Sequence, residues 1–199
     1  MTSCHDSRLS KLIELLGEAR VDTSDAGLKR ASLDSARLSV LPDAVVRPRT
    51  DADVGALLKL ANDESVPVTT RGAGSATTGA TTPLRGGWVL DFSEWTGIRI
   101  DETAGLAYVE AGAVTAKINA AAEALGWFYP PDPSSAAYST IGGNIATNAG
   151  GLRGAKYGVT RDYISALEGF LPTGEAVRWG ADLRKFASGY NIRDLWIGS

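Results

Sequence analysis

Residues 130–151, "PPDPSSAAYSTIGGNIATNAGG", decide how the rest of the chain is read. A rigid double-proline lead-in runs into small residues and two amide side chains, a combination that few purely structural segments need. Asn144 and Asn148 are four apart, so a helical turn sets both amides on one side, within reach of a ligand or of neighbouring backbone. Singly, each reads as a turn or cap residue. Ala146, Thr147, Ala149, Gly150 and Gly151 offer a small-residue surface on which a flat ring, or a second backbone, can lie closely.

Toward the N-terminus a second glycine cluster, "RGAGSATTG" at 71–79, follows the strand pattern "VPVTT" at 66–70. Gly72, Gly74 and Gly79 allow positive φ and let backbone N–H groups approach an anion, with Ser75, Thr77 and Thr78 adding hydroxyls. Arg71 supplies a charge for that anion or pairs with a structural carboxylate. Two familiar nucleotide motifs fail here. A P-loop needs Gly-Lys-Ser/Thr, and no such tripeptide occurs. A dinucleotide fingerprint needs a third glycine where Thr77 stands and a crossover helix where 75–87 carries Pro83 and no helical period, although Asp91 sits at the right distance for a ribose.

Around these clusters the pattern is mixed α and β without internal repeat. Leu9, Leu12, Ile13 and Leu16 predict an amphipathic helix over 7–20, capped by Asp6 or Ser7, and the polar stretch 21–40 reads as a linker. "VVRP" at 45–48 is extended. Thr50 and Asp53 predict a capped helix carrying Val54, Leu57, Leu58 and Ala61. Strands are expected at 88–92, 98–100 and 106–112, then a helix through Val114, Ile118, Ala121, Ala122 and Leu125 stopped by Gly126. Residues 163–179 predict a hairpin turning at Pro172, Thr173 and Gly174. The five tryptophans are scattered and default to core packing.

Bulk properties exclude several classes. A net charge of −3 gives no footprint for nucleic acid, and no apolar run approaches membrane-spanning length. Cys4 is the only cysteine, so no intrachain disulfide forms and a reducing, cytoplasmic setting is expected. Cys4 and His5, the only histidine, make no metal set, and no Ser/His/Asp triad can be assembled.

The ordered series "VVRPRTDADV", "VPVTTRGAGSATTGA", "PPDPSS", "TIGGNIATNAGGLRGAKYGVTRDYI", "LPTGE" and "GYNIRDLWIGS" resembles the FAD-binding (PCMH-type) domain of the vanillyl-alcohol oxidase/p-cresol methylhydroxylase flavoprotein superfamily, in its D-lactate, D-2-hydroxyglutarate and glycolate dehydrogenase branch. The resemblance implies an α+β fold of two subdomains, a small parallel β-α-β subdomain and a larger mixed-sheet subdomain with flanking helices. It covers residues 41–199, leaving 1–40 as an N-terminal helical extension and linker.

By resemblance, Arg71, Gly72, Ala73, Gly74, Ser75 and Gly79 line the FAD pyrophosphate. Pro131, Asp132, Pro133 and Ser134 approach the flavin. Thr140, Ile141, Gly142, Gly143, Asn144, Ala146, Thr147, Asn148 and Gly151 complete the cradle. Ile164 contacts the adenine end through its backbone, and "KYG" at 156–158 either is structural or supports the residues that touch the cofactor. Ser75 stands where some members carry a cofactor-tethering histidine, so FAD is expected to be non-covalent. Two residues depart from the family strand "GLEVVL", Ala166 and Gly169, and a strand glycine can mark a bulge.

The family motif continues past "LWIGS" into "EGTLG" and a substrate domain that carries the catalytic histidine. The implied domain is therefore truncated at its C-terminus, with marginal stability, and the catalytic residues are expected outside this chain. Two functions follow as expectations. One is the FAD-binding portion of an oxidoreductase that moves a hydride from a small D-2-hydroxy acid to the flavin and passes electrons to an external acceptor. The other is an inactive FAD-binding fragment, or half of a split enzyme served by a complementing C-terminal chain. A NAD-binding module is a weaker third reading.

Overall fold

A computed structural model describes residues 2–35, 37–183, 187 and 189–199, and the side chains of 2–6, Cys4 and His5 among them, lie outside the described residues. The chain divides into two compact units, Met1–Glu94 with Phe170–Val177, and Trp95–Gly169 with Arg178–Ser199.

The first unit is built on short, almost wholly apolar strands. β2 (Ala44–Val46) and β4 (Trp88–Asp91) read AVV and WVLD, and Ala44, Val45, Val46, Trp88, Val89 and Leu90 are all buried. Continuous apolar runs of this kind are what parallel strands covered on both faces require. β2 and β3 (Val68–Arg71) both pair parallel with β4, and β1 (Val21–Asp22) adds an antiparallel edge, giving the order β1-β2-β4-β3. The crossover from β2 to β3 is α3 (Asp51–Asp63), which turns Val54, Leu57 and Ala61 inward. Its start is the capping box foreseen at Thr50 and Asp53: Asp53 N–H donates to Thr50 Oγ1 at 3.2 Å and Thr50 N–H to Asp53 Oδ2 at 3.0 Å. The expected hairpin also forms, from β7 (Ala166–Phe170) and β8 (Ala176–Gly180). At its turn Gly174 has φ +84°, and a Cβ there would sit 2.3 Å from Gly55 O, so the turn lies on the backbone of α3.

Two N-terminal expectations differ from the structure. The first helix, α1, spans Thr2–Leu16 rather than 7–20; Gly17, at φ +86°, ends it, and 18–20 form a separate 3-10 turn. Residues 21–40, expected as linker, carry β1 and α2 (Asp25–Ala31). Ser24 caps α2 by accepting from Gly27 N–H at 3.1 Å, and Ala31 packs on Val45 and Val89.

The second unit begins with antiparallel β5 (Ile98–Asp101) and β6 (Leu106–Val109). α4 (Thr115–Glu123) follows on the expected face, and Gly126 at φ +77° stops the chain just beyond it. Three short helices, α5 (Ile141–Thr147), α6 (Gly154–Tyr157) and α7 (Arg193–Trp196), punctuate the remainder. Its core joins Ala113, Ile118 and Ile141 with Ile98, Val109, Tyr129, Ile145 and Ile164, while Trp179 stacks on Trp196 with ring centroids 4.2 Å apart. The class is α+β, with a mixed four-stranded sheet in the first unit and two further two-stranded sheets, β5-β6 and β7-β8.

Candidate functional site: two glycine-rich segments

In the first unit, β3 ends at Arg71 and the backbone enters the glycine loop 72–79. Positive φ at Gly74 (+67°) and Gly79 (+77°) turns it away from the sheet. The Arg71 side chain folds beneath. Its Nη1 reaches Ala31 O at 3.4 Å and Thr81 O at 3.5 Å, and a Cβ on Gly74 would fall 2.1 Å from Nη2. Burial pushes the guanidinium below its ordinary pKa, and Asp91 and Asp34 act against that shift by favouring the charge. The two bonds to Ala31 O and Thr81 O make Arg71 a strut under the loop. A second anchor is Ser35 N–H donating to Ala76 O at 3.0 Å.

Among the described residues, no backbone N–H of 72–79 donates to a protein acceptor. Backbone donors left uncommitted in a braced glycine loop over a partly buried cation are suited to an anion such as a pyrophosphate. The residues present therefore fit that group.

In the second unit, residues 130–151 are assembled by backbone contacts. α5 starts at Thr140, with Ile141 N–H donating to Ala113 O and Gly142 N–H to Ala111 O, both at 2.9 Å. Gly142 lies so close to Ala111 that a Cβ would meet Ala111 O at 2.9 Å. The tightest approach joins Gly151 to the proline segment: a Cβ there would sit 1.8 Å from Asp132 O and 2.8 Å from Pro133 N. Pro131, Asp132, Pro133 and Ser134 are thus held against the end of the Asn/Gly stretch by a contact that only glycine allows. Gly143 is open, its nearest neighbour being Thr140 Oγ1 at 3.5 Å from an added Cβ, and that hydroxyl is buried without a partner.

The amides go to neighbouring protein groups. Asn144, 3% exposed, donates from Nδ2 to Thr115 Oγ1 at 2.6 Å in the interior. Asn148 takes the left-handed conformation (φ 47°, ψ 54°) that ends α5, and its Oδ1 accepts from Arg161 N–H at 2.9 Å. Asn tolerates this conformation better than most side chains, which explains the residue type at a helix end. Ala146 and Thr147 lie on α5, with Thr147 Oγ1 bonded back to Gly143 O at 3.0 Å. Asp132 faces Arg153 at 3.6 Å in a half-exposed ion pair. The Ile164 carbonyl accepts from the Arg193 guanidinium.

Sequence reasoning missed Thr160, and composition gives no signal for it. It is fully buried and bonds Ala149 O from both N–H (3.0 Å) and Oγ1 (2.7 Å), fixing the chain between Asn148 and Gly151. The "KYG" element ends α6 at Gly158, with φ +87°, where a Cβ would be 2.1 Å from Asp162 Oδ2, the acceptor of Val159 N–H at 2.7 Å. Among the described residues no helix is long and apolar enough to cross a membrane, and no group of acidic, His or Cys side chains could hold a metal.

Comparison with known proteins gives the family of the chain. Residues 42–180 match the family described as FAD binding domain. The glycolate oxidase subunit GlcD of Bacillus subtilis is 43% identical over 191 residues, covering 95% of this chain and 41% of that protein. D-lactate dehydrogenase of Anaerostipes hadrus is 38% identical over 159 residues, 79% of this chain and 33% of its own length. The chain thus spans about two fifths or less of these relatives. Among solved structures, p-cresol methylhydroxylase with bound substrate superposes with a TM-score of 0.84 at 20% identity, covering 99% of this chain and 41% of that one. An alkyldihydroxyacetonephosphate synthase gives 0.81 at 22% identity, over 97% and 40%. Its fold is shared with p-cresol methylhydroxylase, and with residues 42–180, most of its length, matching that family, the chain belongs to the FAD binding domain family.

Proposed function

We propose that this chain is the FAD-binding portion of an oxidoreductase that oxidises a D-2-hydroxy acid of the lactate, 2-hydroxyglutarate or glycolate type. The supporting observation is the braced loop 72–79 with its uncommitted backbone donors. Gly72, Ala73, Gly74, Ser75 and Gly79 would hold the pyrophosphate through backbone N–H groups, with Arg71 supplying positive charge and rigidity from below. Thr140, Ile141, Gly142, Gly143, Ala146, Thr147 and Gly151, with Pro131, Asp132, Pro133 and Ser134, would receive the rest of FAD, and Ile164 its adenine end. Asn144 and Asn148 would act by fixing that backbone. When bound, the flavin supplies a two-electron acceptor for substrate oxidation. Ser75 cannot tether it as a histidine does, so binding is non-covalent. The substrate class rests on GlcD, the D-lactate dehydrogenase and the D-2-hydroxyglutarate dehydrogenase of Stutzerimonas stutzeri, 35% identical over 159 residues.

A second reading, cofactor binding without turnover by this chain alone, is favoured by its base inventory. His5 is the only histidine, leaving the cradle without the residue most used for proton abstraction. One experiment separates the two. The purified chain is titrated with FAD, then mixed anaerobically with D-lactate, D-2-hydroxyglutarate or glycolate. Bleaching by one acid supports the oxidoreductase, yellow protein that none bleaches supports the binding-only reading, and a folded chain that takes up no FAD overturns both.

A further inference from the structure

We propose that Asp91 is a positioning residue for the glycine loop 72–79 and acts on it through Arg71. The consequence for FAD rests on the reading of that loop as the pyrophosphate site. Sequence spacing offers Asp91 to a ribose, whereas its surroundings tie it to the loop.

The strand register builds a charged row. Ala44, Val45 and Val46 of β2 lie level with Trp88, Val89 and Leu90 of β4, which brings Arg47 level with Asp91, and Arg71 of β3 is the register partner of Asp91 on its other side. Toward β1, Arg47 N–H donates to Arg20 O at 3.0 Å. Arg20, Arg47, Asp91 and Arg71 therefore stand side by side where the parallel strands end. Neighbouring strands are only about 5 Å apart, so cations in one row repel unless carboxylates sit among them. Arg20 is answered by Glu94 at 3.1 Å, and Arg47 by Asp91 at 3.3 Å and Asp22 at 3.5 Å.

Asp91 is itself held on two sides. Its Oδ2 accepts from Arg47 Nε at 3.3 Å and its Oδ1 from Ser93 N–H at 2.9 Å, and its side chain is 14% exposed. Burial works against the charge on Arg71, and Asp91, ahead of Asp34, favours it. Arg71 carries the constraint onward, reaching Ala31 O at 3.4 Å and lying directly beneath Gly74. The path from sheet edge to loop is Arg47, Asp91, Arg71, Gly74, all within the first unit.

The sign of the effect separates positioning from mere proximity. A carboxylate that only neighboured an anion site would repel the anion, and its removal would tighten binding. A carboxylate that keeps the cation and the loop in place does the reverse.

Asp91→Asn keeps the shape and an oxygen for Ser93 N–H while removing the charge. Two readouts are taken in the parent and in an Arg71→Met background: the amide NMR resonances of residues 72–79 in the free chain, and FAD affinity by fluorescence titration. In the parent, Asp91→Asn is expected to shift the loop amides and weaken FAD about fivefold, and with Arg71 already replaced to leave the amides in place and FAD within about twofold. Arg47→Gln, which removes the group holding Asp91 Oδ2, should act in the same direction and more weakly, and it carries the test if Asp91→Asn does not fold. Equal effects in both backgrounds would place the action of Asp91 in the fold and not in Arg71, and overturn the proposal. Tighter FAD binding on Asp91→Asn, or unmoved loop amides, overturns it as well. If the parent takes up no FAD while the loop amides respond through Arg71, the positioning stands and the pyrophosphate reading of the loop fails.

Discussion

The two glycine-rich segments solve one problem in opposite ways. Loop 72–79 leaves its backbone N–H groups uncommitted and spends a side chain, Arg71, on bracing. The 140–151 segment commits backbone and amides alike, through Ile141, Gly142, Asn144 and Asn148, and gains its shape from glycine contacts 3 Å or closer. In both, the side chains that look most like ligands by chemistry are used to build the backbone. A polar residue in a binding motif is therefore as much a positioning group as a contact, and its partners decide which.

The sharpest way to break this picture is Gly151→Ala. A methyl 1.8 Å from Asp132 O cannot be accommodated without separating the proline segment from the end of the Asn/Gly stretch. Stability should fall by about 3 kcal/mol in urea unfolding and FAD uptake should be lost. Gly150→Ala, whose Cβ would meet only Val159 Cγ1 at 3.2 Å, should cost about 1 kcal/mol, since a side-chain methyl can yield. Equal losses would show that glycine is needed there for flexibility and not for contact.

Alkaline pH tests the floor beneath the second segment. The Tyr129 hydroxyl is buried without a hydrogen-bond partner, and its neighbour Thr160 is committed to Ala149 O. Burial raises its pKa to about 12, above the ordinary phenol near 10. The folded state thus favours the protonated form, and that contribution is complete below pH ~10 and lost as the pH rises through 12. Its size is on the order of 2–3 kcal/mol. Thermal melts of Tyr129→Phe should match the parent at neutral pH and lack this share of the alkaline decline.

Asn144→Ala removes the bond to Thr115 and should cost about 2 kcal/mol, with FAD affinity falling only as far as the helix shifts. Arg71→Lys keeps the charge but loses the planar guanidinium, whose Nη1 reaches Ala31 O and Thr81 O while its Nη2 lies beneath Gly74. FAD binding should weaken about tenfold, or about 1.4 kcal/mol, by fluorescence titration. A larger loss for Asn144 than for Arg71 in FAD affinity, as opposed to stability, would reverse the assignment of the two segments.

Much of this was legible in sequence where periodicity or turn chemistry leaves a local mark. Thr50 and Asp53, the apolar face of α4 and the Gly174 turn all do so, because each is decided by residues a few positions apart. The stretch 21–40 was not, since a two-residue strand and a seven-residue helix are too short to show a period, and their burial depends on Val45 and Val89 far along the chain. The inward turn of Asn144 was hidden for the same reason: its partner Thr115 lies 29 residues away. The glycine clusters announced a close approach without saying what approaches. At Gly151 it is protein backbone, whereas at 72–79 the donors remain open.

The smallest expected effect is the most specific to this comparison. Asp132 presents two chemically different groups to the segment, a carboxylate 3.6 Å from Arg153 and a carbonyl against Gly151. The ion pair is half-exposed on both sides, so water screens it and two long side chains gain little by holding it. Asp132→Asn keeps the carbonyl and removes the charge. Stability should change by less than about 0.5 kcal/mol, and raising the salt should leave that difference smaller still. FAD affinity should stay within about twofold, well below the tenfold that corresponds to 1.4 kcal/mol. If instead Asp132→Asn abolishes FAD uptake while the fold persists, the carboxylate touches the cofactor, and the rule that motif side chains build while backbone presents fails at this position.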